Sequence, residues 1–144
     1  MRTVLRALMI TTTTLALAHA ETTPSQTPGE LRRIMQNLGQ NMQQVAGAIS
    51  REDWAQIAEL APLIAEHPAP PMAEKARILN FLGNRAGQFR ELDHAVHKAA
   101  EDMGQAAKKG DGKEVIKRYA QVQHSCLACH QAFRPSYQQH FLVK

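Results

Sequence analysis

Apolar residues return along this chain at steps of three and four, with no alternating run long enough for a strand. Leu31, Met35, Leu38, Met42, Val45 and Ile49 draw one apolar stripe along a helix from about Glu30 to Ile49. Ser50 stands three residues before Asp53, a capping-box-like opening for a second helix. Trp54, Ile57, Ala58, Leu60, Ala61 and Ile64 form its apolar face. The run HPAPP (67–71) ends it, since proline removes amide donors and restricts the residue before it. A third helix, the longest expected, carries Ile78, Phe81, Leu82, Phe89, Leu92, Val96, Ala100 and Met103, and stops at Gly110. Asp111 caps a fourth, with Glu114 reaching back; Val115, Ile116, Tyr119 and Val122 line its face. Pro135 ends that helix or follows its end closely, leaving residues 135–144 as a polar and aromatic tail. Four amphipathic helices with mostly short connections predict an all-α, up-down-up-down four-helix bundle over residues 30–134.

The start of the chain has a different character. Met1, Arg2 and Arg6 precede an apolar, threonine-diluted run from Ala7 to Leu17, and Ala18-His19-Ala20 follows as a small-x-small site. This is the layout of a secretory signal peptide over residues 1–20, cleaved after Ala20. The run is too short and too rich in threonine for a membrane span. Residues 21–29, ETTPSQTPG, read as a flexible leader. Arg2 and Arg6 fall in the signal, so 15 of the 17 Lys and Arg face all 13 Asp and Glu in the remainder. That near balance argues against nucleic acid as a partner.

Candidate chemistry concentrates in HSCLACHQAFR (124–134), which holds both cysteines of the chain. On a helix, positions i, i+3 and i+4 share a face, so Cys126, Cys129 and His130 line up over little more than one turn. Export implies an oxidising compartment, but a disulfide here closes only a tiny loop and restrains the chain little. A thioredoxin-like redox pair needs a βαβ context that the pattern does not provide. A structural zinc site needs a fourth ligand from a second Cys/His cluster, and none is visible. Cys-x-x-Cys-His is also the attachment signature of c-type haem: the thiols add to the vinyl groups and the histidine becomes the proximal iron ligand.

CLACHQAFR near the C-terminus, on the last helix of a four-helix bundle, resembles the class II c-type cytochromes. These are cytochrome c-prime and its low-spin relatives of the cytochrome c-556 kind. IMQNLGQNMQQVAGAI (34–49) is similar to their first helix. The resemblance implies one covalent haem c lying among the helices near the motif, often in a homodimer. It also implies attachment by cytochrome c maturation machinery, residence in the bacterial periplasm and exchange of electrons with a redox partner protein. Low-spin members carry a first-helix methionine as second axial ligand; c-prime members place a non-ligating residue there. The sequence departs from the family where ILNFLGNRAGQF stands in place of a third-helix tryptophan near the haem.

Bundle geometry bears on the sixth ligand separately. With the last helix ending near Arg134, His130 lies roughly 6 Å from that end. The antiparallel first helix then offers Met35, about 7 Å from its start, whereas Met42 at about 18 Å is two turns too deep. Met103, His94 and His97 fall several turns from that end, and His124 shares the helix of His130. His67 and Met72, in the connection between the second and third helices, stay as alternatives, as does an open sixth position. Arg134, with Arg33 and its neighbour Arg32, are candidate partners for haem carboxylates or for the proximal imidazole; solvated surface arginines are the plain alternative. Phe133 and Leu38 are expected at the ring edge or in the core, His94, His97 and His140 at the surface, and Trp54 in the core or a dimer face. No catalytic constellation is visible and no enzyme activity is expected. The expectation is an exported monohaem one-electron carrier with His130 and Met35 on a low-spin iron. Its rival is a five-coordinate protein that binds NO or CO.

Overall fold

The computed structural model describes residues 29–142. The signal-peptide reading of residues 1–20 and nearly all of the leader lie outside that range. The described chain is helical throughout: α1 (Glu30–Ser50), α2 (Trp54–Ala65), α3 (Met72–Leu82), α4 (Ala86–Lys108) and α5 (Gly112–Phe141), with one 3₁₀ turn at Gly83–Arg85. Three-residue turns join α1 to α2 and α4 to α5. Connections that short force neighbouring helices antiparallel. α1 packs on α2, α2 on α4 and α4 on α5, while α1 and α5 scarcely touch. α1, α2, α4 and α5 form the four-helix bundle, and α3 is an added helix within the crossover from α2 to α4.

A continuous apolar core runs through the bundle. Met42, Val45 and Ala48 from α1 meet Ile57, Leu60, Ala61 and Ile64 from α2. α4 supplies Val96, Ala99, Ala100, Met103, Ala106 and Ala107, and α5 supplies Val115 and Val122. Ile57, Ile64 and Met103 are enclosed completely, and side chains of this size stabilise by about 1.5–3 kcal/mol each when fully buried. A second, smaller cluster of Ile78, Leu82 and Phe133 gathers the far end of the molecule, with Leu31, Phe89, Cys129, Tyr137 and Phe141 packed on it.

Several local expectations change. Ile34 is buried near the start of α1, whereas Met35 is 37% exposed, so the buried stripe rotates away from Met35 over its first turn. Asp53 caps α2, its Oδ1 accepting from the Gln56 amide at 3.0 Å. Ser50 instead turns back, its hydroxyl donating to the Ala46 carbonyl at 3.1 Å. Asp111 caps α5 by accepting from the Glu114 amide at 3.0 Å. Glu114 does not reach back; its carboxylate binds Lys117 and Arg118 one turn on. The start of α1 is capped from a distance, where Glu74 of α3 accepts from the Glu30 and Leu31 amides at 2.8 and 3.0 Å. A carboxylate there satisfies two orphan donors and matches the helix dipole.

The third expected helix divides at Gly83, whose φ of +54° an L side chain rarely adopts. The fourth does not stop at Pro135: α5 runs through it to Phe141 and is the longest helix. Pro135 lacks an amide hydrogen, so the Gln131 carbonyl loses its helical partner. Two features offset that loss. Phe133, Tyr137 and Phe141 recur every four residues and anchor both sides of the proline to the second cluster. Arg85 Nη2 donates to the adjacent Ala132 carbonyl at 2.8 Å while its guanidinium lies 4.5 Å over the Phe133 ring.

Candidate functional site

On α5, Val122, Cys126, Cys129 and Phe133 follow one another at steps of four and three along the seam that faces the bundle. The seam crosses from one cluster to the other between the cysteines. Cys126 packs against the main core and Cys129 against the Ile78–Leu82–Phe133 cluster. Both are free thiols and half-buried. Burial pushes the Cys126 thiol up from its usual range. The Cys129 thiol is pushed up to about 11 by burial first, with the Asp93 carboxylate and Cys126 adding to the shift. His130 follows on the same helical face, half-buried. Burial, and then the positive charge of Arg134, push its imidazole below the ordinary histidine range. The neutral imidazole is the form that binds a metal.

This donor set fits a covalently held haem. Two thiols one turn apart and a neutral imidazole share a helical face. They stand beside an aromatic wall in which Phe89 meets Phe133 edge-on, centroids 5.4 Å apart. α4 packs closely on α5, whereas α1 meets α5 at few points.

The remaining candidates are dispersed. Leu31 at the start of α1 packs on the same cluster as Cys129, and Met35 lies one turn further along α1, about 6 Å on. Met42 and Met103 are locked into the main core. Met72 opens α3 at 77% exposure. The depth premise of the sequence reading does not hold, because α5 continues eleven residues past His130, roughly 16 Å, rather than ending at Arg134. Arg33 is exposed and paired with Glu30, Nη2 to Oε1 at 2.6 Å. Arg134 is exposed one turn beyond His130. Trp54 packs on the main core.

Of the histidines expected at the surface, His94 and His140 are exposed and His97 is not. His140 stacks on Phe81, centroids 4.4 Å apart. His97 is half-buried against Asp93 and His67. The i, i+4 spacing of Asp93 and His97 was visible in the sequence; the arrival of His67 from the α2–α3 connection was not.

No helix among the described residues is long and apolar enough to cross a membrane. A family model described as Cytochrome C' matches residues 29–134. No curated protein and no solved structure matches the chain.

Proposed function

The chain belongs to the cytochrome c′ family, and from that premise we propose that it is an exported monohaem c-type cytochrome that carries one electron with a six-coordinate, low-spin iron. The family match covers the bundle and the Cys126–Cys129–His130 motif together, and it makes the protein a haem-binding cytochrome of the electron-transfer or gas-binding kind.

Cys126 and Cys129 hold the haem c through thioethers, and His130 supplies the proximal nitrogen. Met35 is the proposed second axial ligand. The observation that carries this choice is the second cluster: the start of α1, through Leu31, meets the same apolar residues as Cys129. Met35 follows by one turn and is 37% exposed, free of the main core that encloses Met42 and Met103. Bound there, the haem supplies a one-electron redox couple, and histidine–methionine ligation raises its potential and leaves no open position for substrate chemistry. Arg134, and Arg33 on exchange of Glu30, are the proposed cations for the haem carboxylates. Burial, and then the charge of Arg134, favour the neutral His130 imidazole that ligation needs. Residues 1–20 direct export to the bacterial periplasm and are removed after Ala20. Cytochrome c maturation machinery attaches the haem, and a redox partner protein and a second copy of the chain are the proposed partners.

Expression with haem-attachment machinery, followed by optical spectroscopy of Met35→Ala, His67→Ala and Met72→Ala, tests the assignment. Met35→Ala is expected to lose the methionine–iron charge-transfer band and become high-spin, with the other two unchanged. An unchanged Met35→Ala spectrum reassigns the ligand. A wild-type protein already high-spin supports the five-coordinate, NO- or CO-binding reading.

A further inference from the structure

Where α2 ends, its connection to α3 folds back onto the middle of α4 and brings three metal-binding side chains together. His67, Asp93 and His97 place their donor atoms within 4.8 Å of one another. His67 Nε2 lies 3.6 Å from Asp93 Oδ1, and His97 Nε2 lies 3.3 Å from Asp93 Oδ2. The two imidazoles stack with centroids 4.5 Å apart. All three side chains are partly buried, so the group is reachable from solvent but held by its surroundings.

The hydrogen bonds at the far side of each ring are informative. His97 Nδ1 faces the carbonyl of Ala65, the last residue of α2. His67 Nδ1 faces the Pro68 carbonyl at 3.4 Å. A carbonyl accepts only, so each Nδ1 carries the hydrogen. In a neutral imidazole the lone pair then sits on Nε2. Both Nε2 atoms therefore turn lone pairs toward a carboxylate that is also only an acceptor. Acceptor facing acceptor needs a cation between them. Protons serve if both rings are charged, which places two positive rings in stacking contact over one carboxylate. One divalent ion satisfies all three donors at once.

We propose that His67, Asp93 and His97 form a binding site for a single divalent first-row transition-metal ion, built from residues other than Cys126, Cys129, His130 and Met35 and completed by water. Two imidazoles and a carboxylate suit zinc and its neighbours. Tetrahedral bonds of about 2.1 Å set donors about 3.4 Å apart. The two histidine nitrogens lie 3.6 and 3.3 Å from different oxygens of Asp93; with one donor atom taken from each residue all three lie within 4.8 Å of one another, and side-chain movement on the order of an ångström closes them to that value. Backbone carbonyls behind metal-binding histidines fix tautomer and ring orientation, which is the arrangement at Ala65 and Pro68. The site also clamps the α2–α3 connection to α4.

Isothermal titration of the haem-loaded protein with Zn²⁺ in a non-coordinating buffer tests the proposal. One ion per chain is expected, with micromolar affinity. His97→Ala and Asp93→Asn should each weaken binding at least tenfold, whereas His94→Ala and His124→Ala, exposed imidazoles elsewhere, should not. The near-isosteric Asp93→Asn and an unchanged haem spectrum guard against misfolding of the histidine variant. Anomalous scattering at the zinc edge should place the ion between these three residues. No binding up to millimolar Zn²⁺, wild-type affinity in both His97→Ala and Asp93→Asn, or an ion located elsewhere overturns it.

Discussion

Replacing Gly104 by alanine should separate two opposed effects in the α2–α4 interface. Gly104 is buried on α4, and a Cβ built there lies 2.9 Å from the Ala61 Cβ of α2. Carbon atoms pack at about 3.5–4.0 Å, so the methyl group requires the helices to part by about 0.6–1 Å. Overpacking of a close-packed core costs about 1–3 kcal/mol. Alanine in a helix interior returns roughly 1 kcal/mol relative to glycine. The expected net loss is about 1 kcal/mol. Gly87, on the same helix, has no heavy atom within 4 Å of its built Cβ. Gly87→Ala therefore feels only the propensity gain and should stabilise by about 0.5–1 kcal/mol. Urea unfolding of the haem-loaded protein, read by far-ultraviolet circular dichroism, should move the two midpoints in opposite directions at unchanged slope. Ala61→Gly should relieve Gly104→Ala, with a coupling of about 1 kcal/mol between the two sites. Stabilisation of Gly104→Ala equal to that of Gly87→Ala, or strict additivity with Ala61→Gly, refutes the close approach of these helices.

Other perturbations read other parts of the structure. Arg85→Ala removes the hydrogen bond to Ala132 and the contact with Phe133; a loss of about 1–2 kcal/mol is expected in the same urea assay, with Arg85→Lys intermediate. Asp111→Ala should lose about 1 kcal/mol through the uncapped Glu114 amide; a loss no greater than that of an exposed mid-helix substitution argues against the cap. Arg118, and then Lys117, hold the Glu114 carboxyl below its usual range. A lowered folded-state pKa gives stability that is present above the unfolded carboxylate value, about 4.3, and is lost as the pH falls through the folded one. The stability difference between wild type and Glu114→Gln should therefore shrink from pH 6 to pH 3, and growth of that difference on acidification contradicts the pairing.

What the sequence made legible was local. Stripes at steps of three and four found α1, α2 and most of α4 and α5, because each helix must turn one face to a common core. The Cys126–Cys129–His130 face followed from helical spacing alone, and the family match covers that stretch. The misreadings share another cause. Pro135 breaks helices by local rules, but Phe133, Tyr137 and Phe141 carry α5 past it by packing on residues from α3 and α4. Ile34 and not Met35 enters the buried stripe, because the partner of each face is set by helices far away in sequence. Glu74 capping α1, and His67 meeting Asp93 and His97, join segments whose relation no local pattern encodes. Gly83, by contrast, was available as a break: it lies inside a long apolar periodicity that ran smoothly across it.

The most direct test of the electron-carrier account is the optical spectrum of the purified haem-loaded protein, oxidised and then reduced under carbon monoxide. The account predicts a low-spin spectrum in both oxidation states, a methionine–iron charge-transfer band in the oxidised protein and little reaction with carbon monoxide. A high-spin ferric spectrum with ready carbon monoxide binding on reduction would contradict it.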